Sequence, residues 1–145
     1  MRTHLVALSL ALLLAACGEA PRPPQDDAPA PPAAVEDGVP AEIVVSTNEP
    51  FFQARVEGDT LVLAGVDIEE RRLPVARSEI VGGVREVSAR DAAGSVDVRV
   101  RAAACEDDMS GARFPLSGEL VVDGRGPYRG CARPASMPQP GEPGV

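Results

Sequence analysis

The chain has 145 residues, 44% hydrophobic but only 3% aromatic, with a formal net charge of −8 at pH 7. All 14 basic residues are arginine and the sole histidine is His4, which excludes lysine Schiff-base chemistry and leaves one imidazole, inside a leader segment. With that leader removed, Ser-His-Asp and Cys-His catalysis and His-ligated zinc are excluded. The acidic balance also excludes the basic stripe that nucleic acid requires, so no nucleic-acid partner is expected.

The leader is residues 1–16. Arg2 precedes a 12-residue apolar run, residues 5–16, broken only by Ser9. That is the length of a signal-peptide core, short of the roughly 20 residues a membrane-spanning helix needs. The run ends in Leu14-Ala15-Ala16-Cys17, which resembles the lipobox of bacterial lipoproteins. The resemblance implies cleavage before Cys17, a diacylglyceryl group on its thiol, and acylation of its new amine. Each buried methylene contributes ~0.8 kcal/mol, so two or three acyl chains hold the protein on a membrane permanently. Gly18 stands where aspartate commonly signals inner-membrane retention. The expected address is therefore the outer membrane, facing the periplasm.

Residues 17–41 are the expected tether. Residues 18–41 hold seven prolines, five acids and one arginine, with Val35 and Val39 the only large aliphatic side chains. Such a segment buries too little to offset its ordering entropy. In polyproline II form, about 24 residues at ~3.1 Å each reach roughly 70 Å. Residues 134–145 read as a flexible Pro/Gly tail.

Between them, residues 42–133 carry sixteen acids and twelve arginines, a net of −4, and read as a β domain. Ile43-Val44-Val45 opens it. Phe52, Ala54 and Val56 alternate with Gln53 and Arg55, Gly58-Asp59 turns the chain, and residues 60–64 return, which is a hairpin pattern. Residues 84–90 alternate moderately. Val96, Val98, Val100 and Ala102 alternate strictly with Asp97, Arg99 and Arg101, the signature of a half-buried strand. Residues 116–122, a Gly-rich loop and residues 128–132 form a last hairpin. No helical stripe follows residue 16. The expected fold is all-β, a small antiparallel barrel or sandwich.

The cysteines remaining after lipidation are Cys105 and Cys131, expected to pair in an oxidising compartment. Their bridge closes a loop of 26 residues, worth roughly 3–4 kcal/mol in the chain-entropy treatment. A domain of this size buries only about 60–65% of its unfolded surface, so the staple matters.

Two stretches resemble a family of small bacterial envelope lipoproteins that has no assigned biochemical activity. Asn48-Glu49-Pro50-Phe51-Phe52 is similar to that family's G-T-E-P-F-W, with Phe52 in place of tryptophan and Thr47-Asn48 in place of G-T. Residues 105–115 are similar to its C-x-D-x-M-S-x-x-x-Y/F-P, and Gly130-Cys131-Ala132 to its closing G-C-A. The resemblance spans residues 48–132. It makes Glu49, Phe51 and Phe52 candidate contacts. A groove lined by the family's tryptophan is altered here; a core plug is not.

The candidate binding loop is Asp107, Met109, Ser110 and Arg113. Loops held on rigid scaffolds often carry recognition. Its plain alternative is architecture: an Asx turn at Asp107-Asp108, and Met109 filling space beside the cystine. Glu106, Asp107, Asp108 and Ser110 offer oxygens to a hard cation but lack the ligand ladder and distal bidentate Glu of calcium loops, so no metal site is expected. Arg113 is expected to pair with Asp107. No catalytic residue and no cofactor is expected, and a carboxylate pair for glycoside cleavage has no aromatic sugar platform beside it. The expected function is a non-enzymatic, membrane-anchored lipoprotein, with a periplasmic binding or accessory domain for an envelope protein or small ligand. The alternative is a lysozyme-inhibitor-like lipoprotein, an acidic protein suited to a basic enzyme.

Overall fold

A computed structural model describes residues 38–140. The leader, Cys17, most of the tether and residues 141–145 lie outside the described residues. Ten strands and no helix are present among those described: β1 Ile43–Asn48, β2 Phe51–Glu57, β3 Thr60–Gly65, β4 Ile68–Val81, β5 Val84–Arg90, β6 Ser95–Arg101, β7 Cys105–Glu106, β8 Arg113–Phe114, β9 Leu116–Val122 and β10 Arg125–Pro134. Eight of them close into an antiparallel barrel in the order β1-β10-β9-β6-β5-β4-β3-β2. Each long strand pairs with its neighbour in the chain, and β10 returns to β1. The barrel alternative is therefore the one adopted.

Period-two patterning explains the closure. In β6, Val96, Val98 and Val100 are buried while Asp97, Arg99 and Arg101 face out, and β9 buries Leu116, Gly118, Leu120 and Val122 on its inner side. Leu61, Leu63, Leu73 and Val87 complete a dry interior. Eight strands leave just enough room for such side chains to fill. Where β9, β10 and β1 meet, glycine is obligatory. A Cβ on Gly130 would lie 1.9 Å from the Ser46 carbonyl oxygen, and one on Gly118 would lie 2.5 Å from Val45. This crowding requires glycine at position 130, next to Cys131.

The barrel has two unlike ends. At the base lie the β2–β3 and β4–β5 turns and the start of β1. Val39 is buried at 3% exposure and belongs to the core, and the Arg85 guanidinium donates to its carbonyl at 3.2 and 3.1 Å. The folded region thus begins before residue 42, and Val39 is a plug rather than tether. The other boundary also moves: β10 continues through Pro134, Ala135 N–H donates to Glu42 at 3.0 Å, and Arg133 donates to the Met137 carbonyl. Pro134, Ala135 and Met137 are thus hydrogen-bonded to the base or to each other. The opposite end, the mouth, carries the β1–β2, β3–β4, β5–β6 and β9–β10 turns.

Strand β4 is the element that patterning misses. It runs 14 residues, pairs with β3 in its first half and β5 in its second, and shifts register between Val75 and Arg77. Only Leu73 in it is buried, so it shows no alternation to read.

Candidate functional site

Three groups of residues stand out: a stapled loop on the outer wall, whose tip reaches Asn48 at the mouth end of β1, and two groups at the mouth itself. The first is the stapled loop. Cys105 and Cys131 are bonded, with their Cα atoms 5.4 Å apart and a sequence separation of 26. Cys131 faces outward on β10, so the bridge lays the β7–β8 ribbon against the outer wall of the barrel. Beyond it, Asp107 organises a tight turn. Its Oδ1 accepts the Ser110 N–H at 2.7 Å and the Ser110 hydroxyl at 2.6 Å, and its carbonyl accepts the Gly111 N–H at 2.7 Å. The Ser110 hydroxyl first, then its backbone N–H, hold the Asp107 carboxyl below the usual carboxylate range. This is the Asx turn expected from composition.

The two motif stretches are connected through Asn48, which opens the first of them but is not among its expected contact residues. Asn48 Nδ2 donates to Asp107 Oδ2 at 2.9 Å and also to Asp108. Its neighbour Thr47 is buried, donates to the Pro50 carbonyl at 2.7 Å and accepts the Phe52 N–H at 3.2 Å. Thr47 and Asn48 thus tie the β1–β2 turn to itself and to the loop. Met109 is 78% exposed at the tip and fills no gap beside the cystine. Arg113 pairs with Glu106 at 3.4 Å, not with Asp107. The reason is register: Glu106 and Arg113 are cross-strand neighbours in the β7–β8 ribbon, while Asp107 is occupied by its turn. Among the described residues no group of three or more His, Cys, Asp or Glu is placed to hold a metal ion.

The second group is the aromatic pair. Phe51 and Phe52 point to opposite faces of β2. Phe51 is 45% exposed. Phe52 faces inward, packs on the core, and meets Tyr128 with ring centroids 5.5 Å apart and planes tilted by 53°. Glu49 is exposed on the turn between the strands.

The third group, spread over distant positions, is an ion cluster. Arg71 takes an inward-facing position on β4, two residues before Leu73. Its Nε and Nη2 donate to Asp91 at 3.1 and 2.8 Å, and its Nη1 to Asp123 at 2.8 Å. Asp91 Oδ1 also accepts the N–H groups of Ala93 and Gly94, each at 2.8 Å, and Asp123 Oδ1 accepts that of Ser95 at 3.0 Å. The Arg71 side-chain hydrogen bonds lower the Asp91 carboxyl to about 2, and the two carboxylates raise Arg71. One guanidinium therefore fastens β4 to both the β5–β6 and β9–β10 turns.

Between the aromatic pair and the ion cluster lies an open cleft of about 340 Å³. Phe52, Ile68, Val122 and Tyr128 form its apolar walls, and Arg71, Asp123 and Arg125 its polar rim. Arg71, Asp91, Asp123, Arg125 and Tyr128 are not among the site residues expected from the sequence. The only signal for them is the barrel register, which brings together positions 20 and 52 residues apart. No known protein family, curated protein or solved structure matches the chain.

Proposed function

We propose that the protein is a non-enzymatic envelope lipoprotein, held on the outer membrane through lipid on Cys17, whose barrel is a periplasmic binding or accessory domain. The observation that carries the reading is the polarity of the barrel. The chain enters at the base, where Val39 plugs the interior and Arg85 grips its carbonyl. Phe51 and the cleft lie at the mouth, and the stapled loop, which leaves and rejoins the barrel at the base end, reaches the mouth end of β1 through its Asp107–Asn48 contact. A domain tethered by its base keeps that mouth clear of the chain's own leash, where a partner or ligand is reached.

Two measurements test it. Palmitate labelling of the full chain should mark it in a Cys17-dependent way; unlabelled protein removes the anchor. Photo-crosslinkers placed at Met109 and Phe51, in cells, should capture a defined partner that one at Val81 on the base does not. Equal capture from both ends overturns the polarity argument.

The inhibitor alternative has one observation in its favour: Met109 stands exposed on a turn held by the disulfide and by Asp107. A rigid, protruding tip is what an enzyme cleft accepts. Micromolar purified protein should then slow c-type lysozyme, and Met109→Ala should abolish the effect. No slowing removes this reading.

A further inference from the structure

The mouth cleft sets polar groups of two kinds beside apolar walls. Arg71, Asp91 and Asp123 satisfy one another and the neighbouring turn N–H groups. Arg125 is exposed on the same rim and makes no side-chain hydrogen bond or ion pair among the described residues. It is a cation on the cleft rim without a partner among the described residues. Lining the same cleft are the rings of Phe52 and Tyr128 and the side chains of Ile68 and Val122.

From this juxtaposition we infer that the cleft binds a small amphiphile: a short apolar body against Phe52, Tyr128 and Ile68, with a single carboxylate on the Arg125 guanidinium. Three physical points support it. Ligand pockets run from about 300 to 1,000 Å³, so a cleft of about 340 Å³ holds a short acyl chain or one ring and nothing larger. A planar guanidinium offers two parallel N–H donors that match a carboxylate. The interior below is filled by Leu61, Leu63, Leu73 and their neighbours, so the ligand rests at the mouth and does not enter the barrel. Arg71 with its two carboxylates leaves one negative charge nearby, which offsets part of the attraction and keeps affinity modest. The inference rests on the mouth being the binding end, and it names the ligand class for that end.

The chain contains one tyrosine and no tryptophan, so intrinsic emission reports from Tyr128 on the cleft wall alone. Every described contact lies within residues 38–140. A chain of residues 18–145, which carries no lipid, keeps all of them. Titrated with octanoate, it should show a saturable change in tyrosine emission with a Kd near 1 mM or tighter. Octanol and octylamine should bind about five- to tenfold more weakly. Arg125→Gln should erase the preference for octanoate, and Arg125→Glu should reverse it in favour of octylamine, both with unchanged thermal unfolding. No saturable response to octanoate, or equal responses to all three probes, overturns the inference. A chain that ignores octanoate yet crosslinks from Met109 in cells also overturns it, while leaving the mouth as a protein-binding end.

Discussion

Replacing Cys105 and Cys131 together by alanine is the most quantitative test of how this small barrel is held. The bridge joins residues 26 apart, and the loop-closure relation converts that separation to about 3.5 kcal/mol at 25 °C, exerted on the unfolded chain. Domains of this size have stabilities of about 5–15 kcal/mol, so the loss is a large fraction of the whole. At about 4–8 °C per kcal/mol, the melting temperature should fall by roughly 14–28 °C. Urea unfolding followed by both far-UV circular dichroism and Tyr128 emission measures the free energy and shows whether the transition stays single. Reduction of the wild-type bond should give the same value. A second consequence is local: residues 102–115 should lose amide protection, because the β7–β8 ribbon keeps only its own pairing and the Asn48 contacts. A double variant within 1 kcal/mol of wild type, with protection lost only in that ribbon, would refute the reasoning. The bond would then order an outer loop without constraining the unfolded barrel.

Gly130→Ala should destabilise by about 3 kcal/mol or more, beyond ordinary overpacking, because its Cβ would meet the Ser46 carbonyl at 1.9 Å; urea midpoints decide. Asp107→Ala should raise amide exchange in residues 105–114 by the equivalent of about 1–2 kcal/mol while leaving the barrel strands unchanged. Acid should weaken the mouth in a defined window. Arg71 holds the Asp91 carboxyl at about 2, below its ordinary 3.8, so the folded state favours the ionised form. The stability from this pair is fully present above about pH 4 and is lost as pH falls toward 2; the lowered Asp107 acts in the same direction. Melting temperature against pH should therefore fall more steeply between pH 4 and 2 for wild type than for Arg71→Gln, and parallel curves would contradict the assignment.

What was legible in the sequence follows from what repeats locally. Val96, Val98 and Val100 announce β6 by strict alternation, and Gly58-Asp59 between two alternating runs announces the β2–β3 hairpin. The disulfide followed from arithmetic, since Cys105 and Cys131 are the only cysteines in the described region. Strand β4 was invisible because Glu69, Glu70 and Arg72 line its exposed positions, and because one strand serves two partners across a register shift. Val39 was invisible because one valine among prolines carries no period; only the open base of a barrel gives it somewhere to go. The site divides the same way. The Asp107 turn is local and readable, whereas the Asn48 link to it spans 59 residues and the Arg71–Asp123 link 52. Such links exist only once closure has fixed which strand ends lie together.

Closure also settles how the molecule behaves among its own copies. An open sheet ends in strands whose N–H and C=O groups invite pairing with the next molecule. Here β10 bonds β1, so the eight-stranded sheet has no such border. Among the described residues the remaining unpaired borders belong to the β7–β8 ribbon, two residues per strand, too short to template a neighbour. A valine-rich chain with open sheet edges would otherwise be prone to fibrous self-association. This one offers its neighbours turns and arginine-glutamate walls instead of a growing seam.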